Sequence, residues 1–133
     1  MEKPIDFAIL DTRKGADAGI ELQLVEMVTR QPMPGFVLRI RGYDSEAYQN
    51  KGLELQRRRL ERRRDGKVPT DAESRNEEIE HLATLVISWP EGATIFGQPV
   101  TACSIMEVPE IREQVVAKAI ARANFLQGSA KSS

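Results

Sequence analysis

"GIELQLVEMVTRQPMPGFVLRIRGYDSEAYQ", residues 19–49, decides how this chain folds. Its first part alternates, with Ile20, Leu22 and Leu24 on one side and Glu21 and Gln23 on the other, the period of a half-buried strand. After the breaker "RQPMPG" the alternation returns in "FVLRIRGY", where Phe36, Leu38 and Ile40 share a face while Arg39 and Arg41 point away. The two segments read as an antiparallel pair joined by about six residues. Two strands cannot hide their own apolar side, so other elements must be laid across it. Asp44 or Ser45 is placed to cap the first of these, a helix beginning at Glu46.

That helical pattern runs without a breaker to Gly66, with Ala47, Tyr48, Leu53, Leu55 and Leu60 as its apolar residues. At about 100° per residue, Tyr48 and Leu55 share one azimuth, and Leu53 and Leu60 share another well over a quarter-turn away. The first half can therefore dock on the strands. The second half, with six arginines in the eight residues "RRRLERRR" (57–64), is expected to stay unburied. "DGKVPTDAESRN" reads as a connecting loop with Thr70 or Asp71 as the next cap. Ile79, Leu82, Ala83 and Val86 then repeat at i, i+3, i+4, i+7, which predicts a helix with one buried stripe, ended at "SWPEG" by Pro90. "ATIFGQPV" reads as an irregular excursion carrying Phe96. Thr101 caps a short helix over 102–108, and Pro109 opens the last helix with Glu110 and Glu113 near its positive end. Val115, Val116, Ala119, Ile120 and Ala123 give that helix a broad apolar face, closed by Phe125 and Leu126. The expected fold is α+β: an N-terminal two-stranded antiparallel ribbon followed by a mainly helical bundle of three main helices and one short one. Residues 1–17 are expected to form a flexible N-terminal arm, 18–127 the single domain and 128–133 a frayed tail.

With 133 residues, 41% apolar and 29% charged, the chain has the size and composition of one globular core. Lys plus Arg number 19 against 20 for Asp plus Glu, so no global field draws it to nucleic acid or an anionic membrane. The single cysteine, Cys103, allows no intrachain disulfide and fits a reducing compartment. The short apolar run at 7–10 is too brief for a signal-peptide core or a membrane span, and a cytoplasmic location is expected.

Reactive groups are sparse. His81, the only histidine, has no second imidazole for a metal pair or a base and its orienter, and reads as an ordinary helix-side residue. Cys103 lacks a histidine nearby in sequence and reads as an inert, partly buried thiol. Neither glycine-rich stretch has the phosphate-loop spacing. No catalytic residue, metal ligand or cofactor is assigned. The arginine run sums to +5 over residues 57–64, and residues 71–80 sum to −4. A helical hairpin would bring these blocks together. The same arginines could instead grip the carboxylates of a partner protein, and nucleic-acid binding is the least supported use.

Several stretches resemble the tail assembly chaperone family of long-tailed bacteriophages and prophages: "RGYDSEAYQ", "HLATLVISWPEGATIFGQPV" and "TACSIMEVPEIREQVVAKAIARANFLQ". The matching positions are Gly42, Asp44, Ser45 and Tyr48; Leu82, Val86 and Trp89; Gly97 and Pro99; and Pro109, Ile111, Gln114, Val115, Phe125 and Leu126. They span about residues 18–127. Pro90 departs from the pattern, standing where a small loop residue is more usual.

The resemblance implies a non-enzymatic protein of the host bacterial cytoplasm, absent from the mature virion. Such a protein keeps the tape measure protein soluble and extended until tail tube protein polymerises around it. On this view Tyr48, Leu53, Leu55 and Leu60 are apolar anchors for the partner, and Arg57, Arg58, Arg59, Arg62, Arg63 and Arg64 orient it. Core packing against the ribbon is the competing reading of the apolar set, for Tyr48 above all. Trp89 is expected in the core. Self-association as a homo-oligomer is a further hypothesis. No nucleic acid or membrane partner is expected, and a nucleic-acid-binding accessory protein using the Arg-rich helix is the alternative.

Overall fold

The two alternating segments pair as read. In the computed structural model, which describes residues 4–126, β1 (Ile20–Val25) runs antiparallel to β2 (Pro32–Ile40), with Ile20 opposite Ile40 and Leu22 opposite Leu38. The six residues between them are shaped by Glu26, whose carboxylate accepts hydrogen bonds from the backbone N–H groups of Val28 and Thr29. The register shifts between Gln23 and Val25. There the Gln23 amide donates to the carbonyls of Met33 (2.7 Å) and Phe36 (3.3 Å), satisfying backbone that the ladder leaves unpaired. This irregularity explains why Phe36, expected beside Leu38, is half exposed, whereas Leu38 and Ile40 are buried.

The expected ribbon is in fact a three-stranded sheet of order β1-β2-β3. The helix predicted to reach Val86 ends earlier, as α3 (Asp71–Ala83), and Val86–Ser88 becomes β3, antiparallel to β2 at Ile40 and Arg39. Val86 satisfies a helical stripe and a strand equally well, so periodicity cannot choose. The edge of β2 chooses: the Arg41 N–H donates to the Leu85 carbonyl (2.6 Å), and the Arg41 guanidinium to the Thr84 carbonyl (2.7 Å). One more helical turn would forfeit these bonds and bring Leu85, now fully buried, out of the core.

The stretch "ATIFGQPV" is likewise more regular than expected. Strands β4 (Thr94–Ile95) and β5 (Gln98–Pro99) form a tight hairpin. Phe96 (φ 50°) and Gly97 (φ 78°) fill its two turn positions, both left-handed, the geometry of a type I′ turn, and Phe96 is fully exposed at its tip.

Helices α4 (Ala102–Glu107) and α5 (Pro109–Ile120) follow, α4 closed at its start by a reciprocal Thr101–Ser104 cap. Leu22, Leu24, Leu38 and Ile40 of the sheet meet Ile79 and Leu82 of α3, Ile105 and Met106 of α4, and Val115 and Ala119 of α5 in one core. Gln114 locks α5 to the end of β1 by bonding both the N–H and the carbonyl of Val25, each at 3.0 Å. The apolar face expected on the last helix is narrower than read. Ile120 is exposed where α5 ends, and Ala123 belongs to a 3₁₀ turn, Arg122–Phe125, that buries Phe125.

The N-terminal stretch expected as a flexible arm is partly built into the domain. Phe7–Leu10 forms a 3₁₀ turn whose apolar side chains are exposed, but α1 (Arg13–Ala18) packs inward with Ala16 fully buried, and the buried Thr12 hydroxyl donates to Asp44. Two small residues allow this. A Cβ on Gly15 would stand 1.9 Å from the Phe125 carbonyl oxygen, and one on Gly42 would stand 2.9 Å from the Phe125 ring. The tail expected to fray, 128–133, lies outside the described residues.

Candidate functional site

The arginine run lies on α2 (Glu46–Arg64), which forms a helical hairpin with α3. The Ser45 hydroxyl, fully buried, caps α2 by accepting from the Tyr48 N–H, and Thr70 caps α3 in a reciprocal box with Glu73. Arg62, Arg63 and Arg64 occupy the last turn of α2, where positive charge favours the negative end of the helix dipole. Gly66, at φ 71°, then turns the chain.

One side of α2 is engaged inside the molecule. Leu55 is 2% exposed. Tyr48 stacks between Tyr43 (centroids 4.4 Å apart) and His81 (4.0 Å), and burial together with Tyr43 pushes its phenol up to about 12. The His81 Nε2 lies 3.0 Å from the Tyr48 carbonyl, with Gly52 leaving room for the ring, so His81 is the helix-side residue the sequence suggested. Arg58 donates to both oxygens of Glu80 (2.9 and 3.2 Å), which also accepts from Lys51 (3.2 Å). Arg62 grips the buried Glu77 with two bonds of 2.8 and 3.0 Å. The opposed charge blocks of the two helices thus meet as the hairpin reading required. Hydrogen bonds from Arg62 hold the Glu77 carboxyl below its ordinary value against the raising effect of burial, and Arg58 does the same for Glu80.

This pairing has a measurable consequence. Because the folded pKa of Glu77 is depressed below 4.5, its contribution is complete above that pH and is lost as the pH falls through the folded value. Glu77→Gln, which removes the charge opposite Arg62, should cost about 1–3 kcal/mol at neutral pH. Urea unfolding of the variant should show a shallower loss of stability on acidification below about pH 5 than the parent. Equal slopes for the two proteins would show that the Arg62–Glu77 pair adds nothing.

The other side of α2 faces solvent. Leu53 is 60% and Leu60 55% exposed, and Arg57, Arg59, Arg63 and Arg64 are exposed. Among the described residues no ion pair involves these four arginines. The predicted contact set therefore divides by azimuth. Tyr48, Leu55, Arg58 and Arg62 make contacts within the fold, and Leu53, Arg57, Leu60 and Arg63 are exposed.

Three further features escaped the sequence or were misread there. Asp44 is a clasp, its carboxylate accepting from Thr12 and, at 2.8 and 3.1 Å, from Arg122. No local pattern links residues so far apart in the chain. An apolar recess of about 410 Å³ lies among β2, Trp89, the β4–β5 hairpin and α4, with Leu24, Phe36, Ile95 and Ile105 in its walls. Trp89, expected in the core, packs against it only in part. Cys103, expected partly buried, is exposed because the side of α4 turned to the core is centred on Ala102, Ile105 and Met106, about 100° from Cys103.

Among the described residues no group of three or more His, Cys, Asp or Glu side chains is placed to hold a metal ion, and no helix is long and apolar enough to cross a membrane. No family model matches the chain, and no curated protein or solved structure matches it.

Proposed function

We propose that the protein is a tail assembly chaperone of a long-tailed phage or prophage. It binds the tape measure protein in the host bacterial cytoplasm, keeps it soluble until tail tube subunits polymerise around it, and acts by protein binding alone. The observation that carries this reading is the outward side of α2, where two exposed leucines stand among arginines that have no ion-pair partner among the described residues. A tape measure protein is long and helical, and a helix side bearing a few anchors suits a contact that must later be broken.

The residues behind the family resemblance also support a shared architecture, since they sit at its joints. Gly42 lies against Phe125, Ser45 caps the helix that carries Tyr48, Gln114 ties α5 to β1, and Gly97 makes the hairpin turn.

The test is co-expression with a tape measure protein of a long-tailed phage, sought as a very long helical open reading frame in a neighbouring gene. The tape measure protein should remain soluble and co-purify with this chain, and adding tube protein should release it. A tape measure protein that precipitates equally with and without the chain would remove the proposal.

A further inference from the structure

We infer that the outward side of α2 is a docking stripe for an acidic amphipathic helix, with the partner's apolar residues on Leu53 and Leu60 and its carboxylates on Arg57 and Arg64. The inference rests on the reading that the ligand is a helical polypeptide, and adds the chemistry which that polypeptide must have.

The sequence of α2 carries a short repeat whose meaning emerges only once the helix is oriented. "LELQR" (53–57) and "LERRR" (60–64) are the same Leu-Glu-x-x-Arg pattern seven residues apart. Seven residues are two turns, about 10.5 Å along the axis, so both Leu–Arg pairs lie on one side of the helix. That side faces solvent. Leu53 and Leu60 are each more than half exposed, while Leu55, nearly opposite on the helix, is 2% exposed. The spacing is that of the apolar seam of a two-helix contact with charged flanks, and half of such a contact is present here.

The sign of the charge selects the partner. On the inward side every arginine of the hairpin contact has its carboxylate: Arg58 on Glu80 and Arg62 on Glu77. On the outward side Arg57, Arg63 and Arg64 have none among the described residues. A guanidinium is shaped to take a carboxylate with two parallel bonds, so Glu or Asp flanking the partner's apolar seam completes the arrangement. A second copy of the chain using this same side would bring Arg57, Arg63 and Arg64 of each copy together with one exposed carboxylate, Glu61, so like charges would predominate in a symmetric contact. A nucleic acid leaves Leu53 and Leu60 without a role, and would approach a protein of net charge −1 whose neighbouring α3 segment, 71–80, sums to −4.

The full chain can be titrated against a labelled synthetic peptide of about three heptads with Leu at the seam and Glu on both flanks. The same peptide with Lys for Glu, and a random-sequence DNA duplex, serve as comparisons. The acidic peptide should bind, more weakly as salt rises, and the lysine peptide should not. Double substitutions Leu53→Asn with Leu60→Asn, and Arg57→Glu with Arg64→Glu, should each weaken binding at least about tenfold. Melting of the leucine variant should be nearly unchanged, because both side chains are exposed, and that of the arginine variant should fall slightly, because Arg64 leaves the negative end of the helix dipole. Equal binding of the two peptides, variants that bind like the parent, or tighter binding to the duplex than to the acidic peptide would overturn the inference. The two proposals fail separately. If tape measure protein stays soluble with either double variant, the chaperone reading stands and the stripe falls. If the acidic peptide binds the stripe but tape measure protein precipitates, the reverse holds.

Discussion

Replacing Gly15 by alanine should destabilise the protein by about 3 kcal/mol or more, although helix propensity alone predicts a gain of about 1 kcal/mol. The opposition arises because Gly15 lies inside α1 and touches another segment. An ideal Cβ would stand 1.9 Å from the carbonyl oxygen of Phe125 and 2.9 Å from its carbonyl carbon. Both are backbone atoms, which cannot rotate away as a side chain can. Either α1 lifts off, exposing Ala16 and loosening the Thr12–Asp44 bond, or the 3₁₀ turn holding Phe125 is displaced. Phe125 is 3% exposed, and losing a buried phenylalanine from its site costs about 3–5 kcal/mol. Thermal unfolding should shift down by roughly 4 °C for each kcal/mol lost. A variant that melts at or above the parent temperature would show that α1 is not seated on Phe125. Limited proteolysis adds a second reading, since displacement of the turn should open cleavage near residues 121–126.

Leu55→Ala should cost about 2–5 kcal/mol, and Leu53→Ala or Leu60→Ala no more than about 0.5 kcal/mol. All three leucines lie within eight residues of one helix and are chemically identical. Only Leu55 is buried, at 2% exposure against 60% and 55%, so only there does truncation leave a cavity. The effect on partner binding should be reversed: Leu53→Ala and Leu60→Ala should weaken it while the fold holds. Chemical denaturation of the three variants checks the first half. Comparable losses at all three positions would mean that α2 is packed on both sides, and the outward stripe would then be core.

Much of this arrangement was legible in the chain itself. The alternation at 20–24 and 36–40 gave the first strand pair, and the separate azimuths of Tyr48 with Leu55 and of Leu53 with Leu60 gave a two-sided helix. Ser45, Thr70 and Thr101 marked helix starts because their hydroxyls satisfy N–H groups no helix can satisfy for itself. The opposite charges of residues 57–64 and 71–80 foretold the hairpin. The candidate site was legible as a region but not as a surface. Arg57, Arg58, Arg62 and Arg63 are indistinguishable in a charged run until α3 arrives and claims Arg58 and Arg62.

What the sequence by itself determined is what depends on near neighbours: strand period, helix caps and the sign of each charge block. What only the tertiary structure decided is where one segment competes for another. Val86–Ser88 became a strand because the open edge of β2 offered backbone hydrogen bonds that a helix could not use. Residues 12–18 joined the domain because Gly15 and Gly42 are small enough to admit Phe125. Arg58 and Arg62 became structural, and Arg57 and Arg64 were left exposed, because α3 covers α2 from one side only. Local rules fix which contacts a residue is able to make, and the partner that completes a contact is set by long-range packing, which no sequence window contains.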